Sequence, residues 1–433
     1  MSAHALHLRA MAGVDPLRVP LPIGTEVVTR VDRVDNGRTI RAGALGRVKH
    51  LDADRVSVQV VGVGQIWYSR SEIVPCRAGQ ARYAARRDAN WSALRPCVVV
   101  ESVVGSRAWG LAHEGSDTDR RGVFVPPFTW TTSLVPPPED IVSLDATCTY
   151  WSAYKLVRQA LRADPNTLET LFVDGASVMD PMGQWILDAR RAFVSANIYG
   201  SFGRYALSQL KKMQKAIALL DRRQVVLGWL RAEPSLTMED VAQRIADQYS
   251  EDHPSGPSGE YVQAKHYVKD LYRSLYDQGI VEENSFKGLV RFAEKATEAE
   301  LDLPREMRPK NAYNLLRLIG TATQWLRTGE ADFRVSGPLR DRLLAIKQGE
   351  VPLADVVRDA EEMAPELEAA RRTTRLPEHP DLRAANDLVR RLGEEAARRW
   401  ASGDPTVFGL LAPPPPQLEW DDAPEEPTGD QPS

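Results

Sequence analysis

The sequence predicts an α+β protein in three parts: a small N-terminal β-barrel, an α/β core built on a mixed sheet, and a helical C-terminal domain. Three observations predict it. Short β-rich runs separated by glycine-containing turns fill residues 25–68. An apolar run, Cys97-Val98-Val99-Val100 with Val103-Val104 after it, stops at Gly105. Beyond Phe172, apolar residues recur at three- and four-residue steps over most of the remaining chain. These place an extension over 1–19, the barrel over 20–80, the core over 81–180, the helical domain over 181–405 and an acidic, proline-rich tail over 406–433.

In the first part, Thr25 to Val31, Gly46 to His50, Arg55 to Val61 and Gln65 to Tyr68 are the strands. Asn36-Gly37, Gly43, Asp52-Ala53-Asp54 and the Gly62/Gly64 pair are the turns between them, and the layout resembles SH3-like barrels. Two roles fit this part. It is a docking or structural appendage, or it contacts nucleic acid through Arg30, Arg33, Arg38, Arg41 and Arg47.

Composition narrows the rest. The 433 residues are 43% hydrophobic and 26% charged, an ordinary globular balance, and long enough for two or three domains. No apolar stretch has the length of a membrane span, and residues 1–14 lack the apolar centre and cationic start of a signal peptide. Cys76, Cys97 and Cys148 are isolated, with neither disulfide-framework nor zinc spacing, so a reducing cytoplasm is the expected setting. The net charge of -4 comes from the tail, where Pro413 to Ser433 holds six acids and no base; without them the body carries +2. That near-neutral body neither requires nor excludes a nucleic-acid partner.

The chemistry concentrates after Gly105. A strand ending in Gly105-Ser106-Arg107 hands over to a turn whose backbone amides suit a phosphate. Past Gly115-Ser116, Asp117 and Asp119 stand two apart at the start of the strand Arg121 to Val125, where alternate side chains share a face. Two hard oxygen ligands beside an anion-binding turn match a divalent cation carrying a nucleoside triphosphate. By the same alternation, only one of Arg120 and Arg121 shares the carboxylates' face.

The segment GSRAWGLAHEGSDTDRRGVFVPP resembles the signature of the DNA polymerase beta superfamily of nucleotidyltransferases. More narrowly it is similar to the bacterial predicted-nucleotidyltransferase branch related to RNA-repair-associated polymerase-beta-like enzymes. Tyr150-Trp151, Lys155, Asp164-Pro165-Asn166 and Glu169-Thr170-Leu171-Phe172 continue the likeness, with weaker echoes at Lys310 to Leu318 and Leu343 to Glu350. The resemblance implies a polymerase-beta-type core that uses magnesium, or manganese in its place. It implies transfer of a nucleoside monophosphate from a nucleoside triphosphate to a hydroxyl acceptor such as an RNA 3′ end, with release of pyrophosphate. Asp117 and Asp119 are then metal ligands, with Gly105, Ser106 and Arg107 on the phosphates. In this branch a third carboxylate stands eight positions before the helix lysine. Counting back from Lys155 gives Thr147, and the nearest acid, Asp145, lies about 6.6 Å farther along the strand at roughly 3.3 Å per residue. Asp145 is therefore expected as the third metal and catalytic residue.

Helices are expected over Gly200 to Leu220, Thr237 to Tyr249, Tyr261 to Gln278, Ser285 to Leu301, Ala312 to Arg327, Leu353 to Thr373 and Pro380 to Ala401, with a loop at His253 to Gly259. Lys310, Asn314 and Arg317 fall on one helical stripe; with Lys155, Lys310 and Arg317 are the candidates for triphosphate contact. Trp109, Trp151 and His113 read more simply as core or loop residues, and Asn166 and Glu169 as helix-capping ones. A second class remains beside the enzyme: a catalytically weakened nucleotide-binding or regulatory protein, as Thr147 would imply, and a protein or small-molecule acceptor also stays open.

Overall fold

The computed structural model describes residue 15 and residues 17–35, 38–60, 63–134, 136–252, 257–277, 280–281, 283–295 and 309–402. The expected acidic tail, most of the N-terminal extension and part of the loop at His253 to Gly259 lie outside these residues.

The architecture is α+β. Seven short strands open the chain: β1 (Glu26–Thr29), β2 (Arg33–Asp35), β3 (Arg38–Ile40), β4 (Leu45–Leu51), β5 (Arg55–Val60), β6 (Gly64–Ser69) and β7 (Ile73–Pro75). They do not close into the expected barrel. Five form an open sheet, ordered β6-β5-β4-β1-β7, while β2 and β3 pair as a separate hairpin. Alternation dictates the strands: Val27, Val48, Val56, Val58, Val60 and Ile66 turn to one apolar core. It does not dictate closure, and here β6 and β7 remain the edges.

This sheet is fastened to the core of the protein. The Ile23 amide donates to the Leu144 carbonyl at 2.9 Å. From the helix Ala78–Leu94, Arg87 donates to the carbonyls of Val142 and Ser143. The arginines proposed for nucleic acid are partly engaged within the sheet: Arg30 donates to the Ser71 carbonyl, Arg33 to the Trp67 carbonyl, and Arg47 pairs with Glu26.

The second sheet is mixed, as expected. It comprises β8 (Val98–Val104), β9 (Asp119–Phe124), β10 (Asp140–Val142), β11 (Cys148–Ser152) and β12 (Ser177–Val178) in the order β10-β11-β9-β8-β12. β9 and β11 run parallel, the other neighbours antiparallel. Helices Ala153–Ala160, Pro165–Phe172 and Pro181–Asp188 cover it, and a helical region comes after them.

In that region the helix Arg204–Ala232 extends well past the expected end at Leu220, preceded by a π-turn at Tyr199–Gly203. Helices Met238–Asp252, Pro257–Asp277 and Phe286–Lys295 pack with its C-terminal half around a core of their own, including Val226, Leu230, Ile245, Val268 and Leu289. Helices Pro309–Thr328, Gly337–Gln348, Leu353–Thr373 and Leu382–Ser402 instead share one core with the second sheet, running from Val99 to Ala396. The helix Gly337–Gln348 is an addition to the sequence reading. Among the described residues no helix is long and apolar enough to cross a membrane.

Candidate active site

A cavity of about 960 Å³ opens where the C-terminal end of β8 and the start of β9 face the helix Pro309–Thr328. That volume lies in the range of small-molecule and cofactor sites. Of the residues that the sequence singles out, Gly105, Ser106, Asp117, Asp119, Lys310 and Arg317 stand in its wall.

Gly105 ends β8 with φ +72°, in the left-handed region that a side chain disfavours. A Cβ there would also lie 3.0 Å from Asp119 Oδ2. The turn then winds as one helical loop, with the Trp109 amide donating to the Gly105 carbonyl and the Leu111 amide to the Ser106 carbonyl. Beneath it is Glu169, only 2% exposed, whose Oε1 accepts the Gly105 amide at 2.7 Å and the Trp109 indole N–H at 2.9 Å. Its Oε2 lies 3.7 Å from Arg121 Nη1. Glu169 thus does far more than cap its helix, a task that belongs to Asp164, which accepts the Thr167 amide at 2.9 Å. The signal for it was a carboxylate set in the apolar run Leu168-Glu169-Thr170-Leu171.

Asp117 and Asp119 both face the cavity, solvent-exposed, and among the described residues neither carboxylate has an ion-pair or hydrogen-bond partner. Arg107 does not line the cavity. It donates to the carbonyls of Ser116 at 2.6 Å and Asp117 at 3.2 Å, and so braces the loop that carries Asp117. Arg121 faces inward and Arg120 outward, where it pairs with Glu101 at 2.7 Å, as strand alternation requires.

Asp145 is placed elsewhere. It accepts from the Ser143 hydroxyl, the Thr147 amide and the Thr147 hydroxyl, closing the β10–β11 turn, and it is not part of the cavity wall. Burial pushes its carboxyl up, but the hydrogen bonds from Ser143 and Thr147 outweigh this and hold it below the usual carboxylate value. Thr147 is the residue beside Asp119: Cys148 pairs with Arg120 across β9 and β11, and the Arg120 amide donates to the Thr147 carbonyl at 2.8 Å. Lys155 is also outside the cavity wall, with its ammonium 3.3 Å from Asp140.

The far wall comes from the helical region. Lys310, Asn314 and Arg317 share one face of the helix Pro309–Thr328, and all three line the cavity. Arg317 is 5% exposed, its guanidinium carbon 3.5 Å from the Trp109 ring centroid, and its Nε and Nη1 have no hydrogen-bond partner among the described residues. Burial lowers its pKa to about 10, against the opposing pull of Glu169, so it stays cationic at neutral pH. Lys347 joins them, donating to the Leu111 carbonyl at 2.9 Å; burial and nearby Lys310 both lower its pKa. Arg340 donates to the Gly110 carbonyl and the Val335 amide to the Trp109 carbonyl, which ties the turn to the helix Gly337–Gln348 and the segment before it. Sequence spacing could not reveal these contacts, which span more than 200 positions. Arg162, Gln159, Asn166, Tyr205 and His113 also stand in the wall. Trp109 carries Arg317, whereas Trp151 is a core residue.

Among the described residues no group of three or more His, Cys, Asp or Glu side chains is arranged to hold a metal. Two carboxylates without an ion-pair partner among the described residues still fit magnesium, which is commonly bound by one or two carboxylates together with substrate phosphates.

No curated protein and no solved structure matches the chain significantly. Residues 90–226, from the end of the first long helix through the turn, both aspartates and Glu169 into the last quarter of the helix Arg204–Ala232, match the model of the RNA repair pathway DNA polymerase beta family, a similarity that supports a polymerase-beta-like nucleotidyltransferase.

Proposed function

We propose that the cavity binds a nucleoside triphosphate with magnesium and transfers its nucleoside monophosphate to an acceptor end of RNA, releasing pyrophosphate. The observation that carries this reading is the convergence, on one cavity, of two carboxylates without an ion-pair partner among the described residues, the turn that begins at the left-handed Gly105, and the cations Lys310, Arg317 and Lys347. Asp117 and Asp119 would hold the cation, which when bound neutralises phosphate charge and keeps the α-phosphorus open to in-line attack. The Ser106 amide and hydroxyl would orient the β- and γ-phosphates, the Gly105 amide being held by Glu169. Lys310, Arg317 and Lys347 would offset charge that builds on the departing pyrophosphate. RNA as the acceptor is supported by the family description.

The test is incubation of the full chain with each α-labelled nucleoside triphosphate, magnesium and RNA. Labelled RNA is expected, and Asp117→Asn or Asp119→Asn should each remove it, with the double variant little worse because the pair acts as a unit. Retention of transfer by either single variant would defeat the assignment. A second reading, a nucleotide-binding protein of weakened activity, is favoured by Thr147 standing beside Asp119 where the resemblance calls for a carboxylate. Under it, magnesium-dependent nucleotide binding survives without transfer.

A further inference from the structure

The acceptor's reacting group can be read from what the cavity wall leaves available. An attacking hydroxyl must lose a proton, and a positioned base of suitable pKa normally takes it. Four carboxylates among the described residues line the cavity: Asp117, Asp119, Asp164 and Glu169. In a nucleotidyltransferase site the first two hold the cation. Asp164 is occupied by the Thr167 amide and hydroxyl, both at 2.9 Å. Glu169 is buried under the Gly105 and Trp109 donors and beside Arg121. His113 Nδ1 is engaged in the loop, where it accepts the Gly115 amide at 3.2 Å. Next to Asp119, in the turn before β11, stands the Thr147 hydroxyl, donating to Asp145 at 2.9 Å.

A second stretch of the wall, the one that also carries Asp164, holds a further cation. Arg162 lies between helices Ala153–Ala160 and Pro165–Phe172, with Gln159 and Asn166 beside it in the lining, and among the described residues it has no ion-pair partner. It belongs to a different segment from the Lys310, Arg317 and Lys347 group assigned to the triphosphate. A guanidinium flanked by amide side chains suits a phosphate.

We propose that the acceptor group is a phosphate monoester, not a hydroxyl, held by Arg162 with Gln159 and Asn166. This rests on the nucleotidyltransferase reading and specifies its acceptor. A phosphate monoester is already ionised at neutral pH, with a second pKa of about 6. One of its non-bridging oxygens attacks the α-phosphorus of the nucleoside triphosphate, forming a new P–O bond and hence a diphosphate linkage. The bond between the α-phosphorus and the bridging oxygen to the β-phosphorus breaks, and its electron pair leaves with pyrophosphate. No proton has to be removed from the nucleophile, so the cavity needs no base.

The test offers the full chain α-labelled nucleoside triphosphates, magnesium and one RNA sequence in three forms: 5′-phosphate with a blocked 3′ end, 3′-phosphate with a 5′-hydroxyl, and hydroxyls at both ends. A nucleoside monophosphate serves as the small phosphate source. Label is expected on a phosphate-bearing RNA, resistant to phosphatase and released by an enzyme that cleaves diphosphate linkages. Label on the nucleoside monophosphate alone would support the phosphate acceptor and name a small molecule as its source. Arg162→Gln should raise the KM for that acceptor roughly tenfold, the effect of one lost charge-assisted hydrogen bond, with the Kd for the nucleoside triphosphate unchanged. Thr147→Asp should open transfer to the all-hydroxyl RNA. Label on the all-hydroxyl RNA with wild-type protein would overturn the inference and leave nucleotidyl transfer standing. Absence of label from every acceptor overturns it as well, and if magnesium-dependent nucleotide binding is also missing, the nucleotidyltransferase reading falls with it.

Discussion

Glu169 Oε1 lies 2.7 Å from the Gly105 amide nitrogen, so a carboxylate on a helix of the core holds the turn after β8 from beneath. The same oxygen takes the Trp109 indole, and Trp109 in turn carries Arg317 on its ring face. One buried carboxylate therefore connects the turn, Arg121, Arg317 and the helix Pro309–Thr328.

Replacing that anion should cost stability before it costs chemistry. Glu169→Ala leaves the Gly105 amide and the Trp109 indole without an acceptor and Arg121 without its partner, a loss of about 3–5 kcal/mol for breaking a buried charged network. Glu169→Gln keeps an acceptor and removes the charge, so its cost should be smaller than that of Glu169→Ala. Urea unfolding of the three proteins measures the order. An unchanged midpoint for Glu169→Ala would mean that the turn is held by other contacts.

Gly105→Ala tests the turn itself. A left-handed residue with a Cβ costs roughly 1–2 kcal/mol, and here the Cβ would press on Asp119 Oδ2. Displacing that oxygen should weaken magnesium-dependent nucleotide binding more than it weakens the fold. Paired measurements of thermal unfolding and nucleotide affinity separate the two; a variant that binds as wild type while melting earlier would show that the turn matters only to stability.

How much of the site is readable in the sequence depends on the range of each contact. Gly105, Asp117 and Asp119 lie within 15 positions of each other, and strand alternation alone puts Arg121 inward and Arg120 outward. The mixed sheet and most helices follow from apolar periodicity. Closure of the N-terminal sheet does not, because alternation specifies which face is apolar and not whether the edges meet. Asp145 misled for a related reason: counting residues along an assumed strand cannot see that β11 starts only at Cys148, so Asp145 falls in the turn before it. Helix Gly337–Gln348 has charges spread over Arg340, Asp341, Arg342 and Lys347, which blurs its apolar stripe. Its contacts with Gly110 and Leu111 exist only in the folded chain.

The C-terminal helix supplies a pH-dependent contact. Hydrogen bonds from Arg398 and Arg399 hold the Glu395 carboxyl at about 2, and Arg399 also pairs with Asp180 at 2.6 Å, at the start of the helix Pro181–Asp188. A carboxyl lowered in the folded state contributes stability that is fully present above its unfolded pKa, about 4.3, and is lost as pH falls through its folded value. Glu395→Gln should therefore lower Tm at pH 7, with the difference from wild type shrinking below about pH 4.3 and vanishing near pH 2. A Tm difference that stayed constant over this range would assign the effect to packing.

The family-matched segment, residues 90–226, should not work alone. Trp325, fully buried on the helix Pro309–Thr328, meets Phe172, Phe202 and Phe333 at ring separations of 5.2, 6.1 and 5.7 Å. Phe172 and Phe202 belong to the matched segment, whereas Trp325 and Phe333 lie beyond it. The segment by itself would expose that aromatic cluster and would lack Lys310, Arg317 and Lys347 from the cavity. Trp325→Ala in the full chain should cost about 3–5 kcal/mol through the cavity it leaves. Expressed alone, the segment should lack cooperative unfolding and bind no nucleoside triphosphate. If it instead folds and binds nucleotide as the full chain does, the helix Pro309–Thr328 is a cover over a self-sufficient site, and the roles given to Lys310 and Arg317 are wrong.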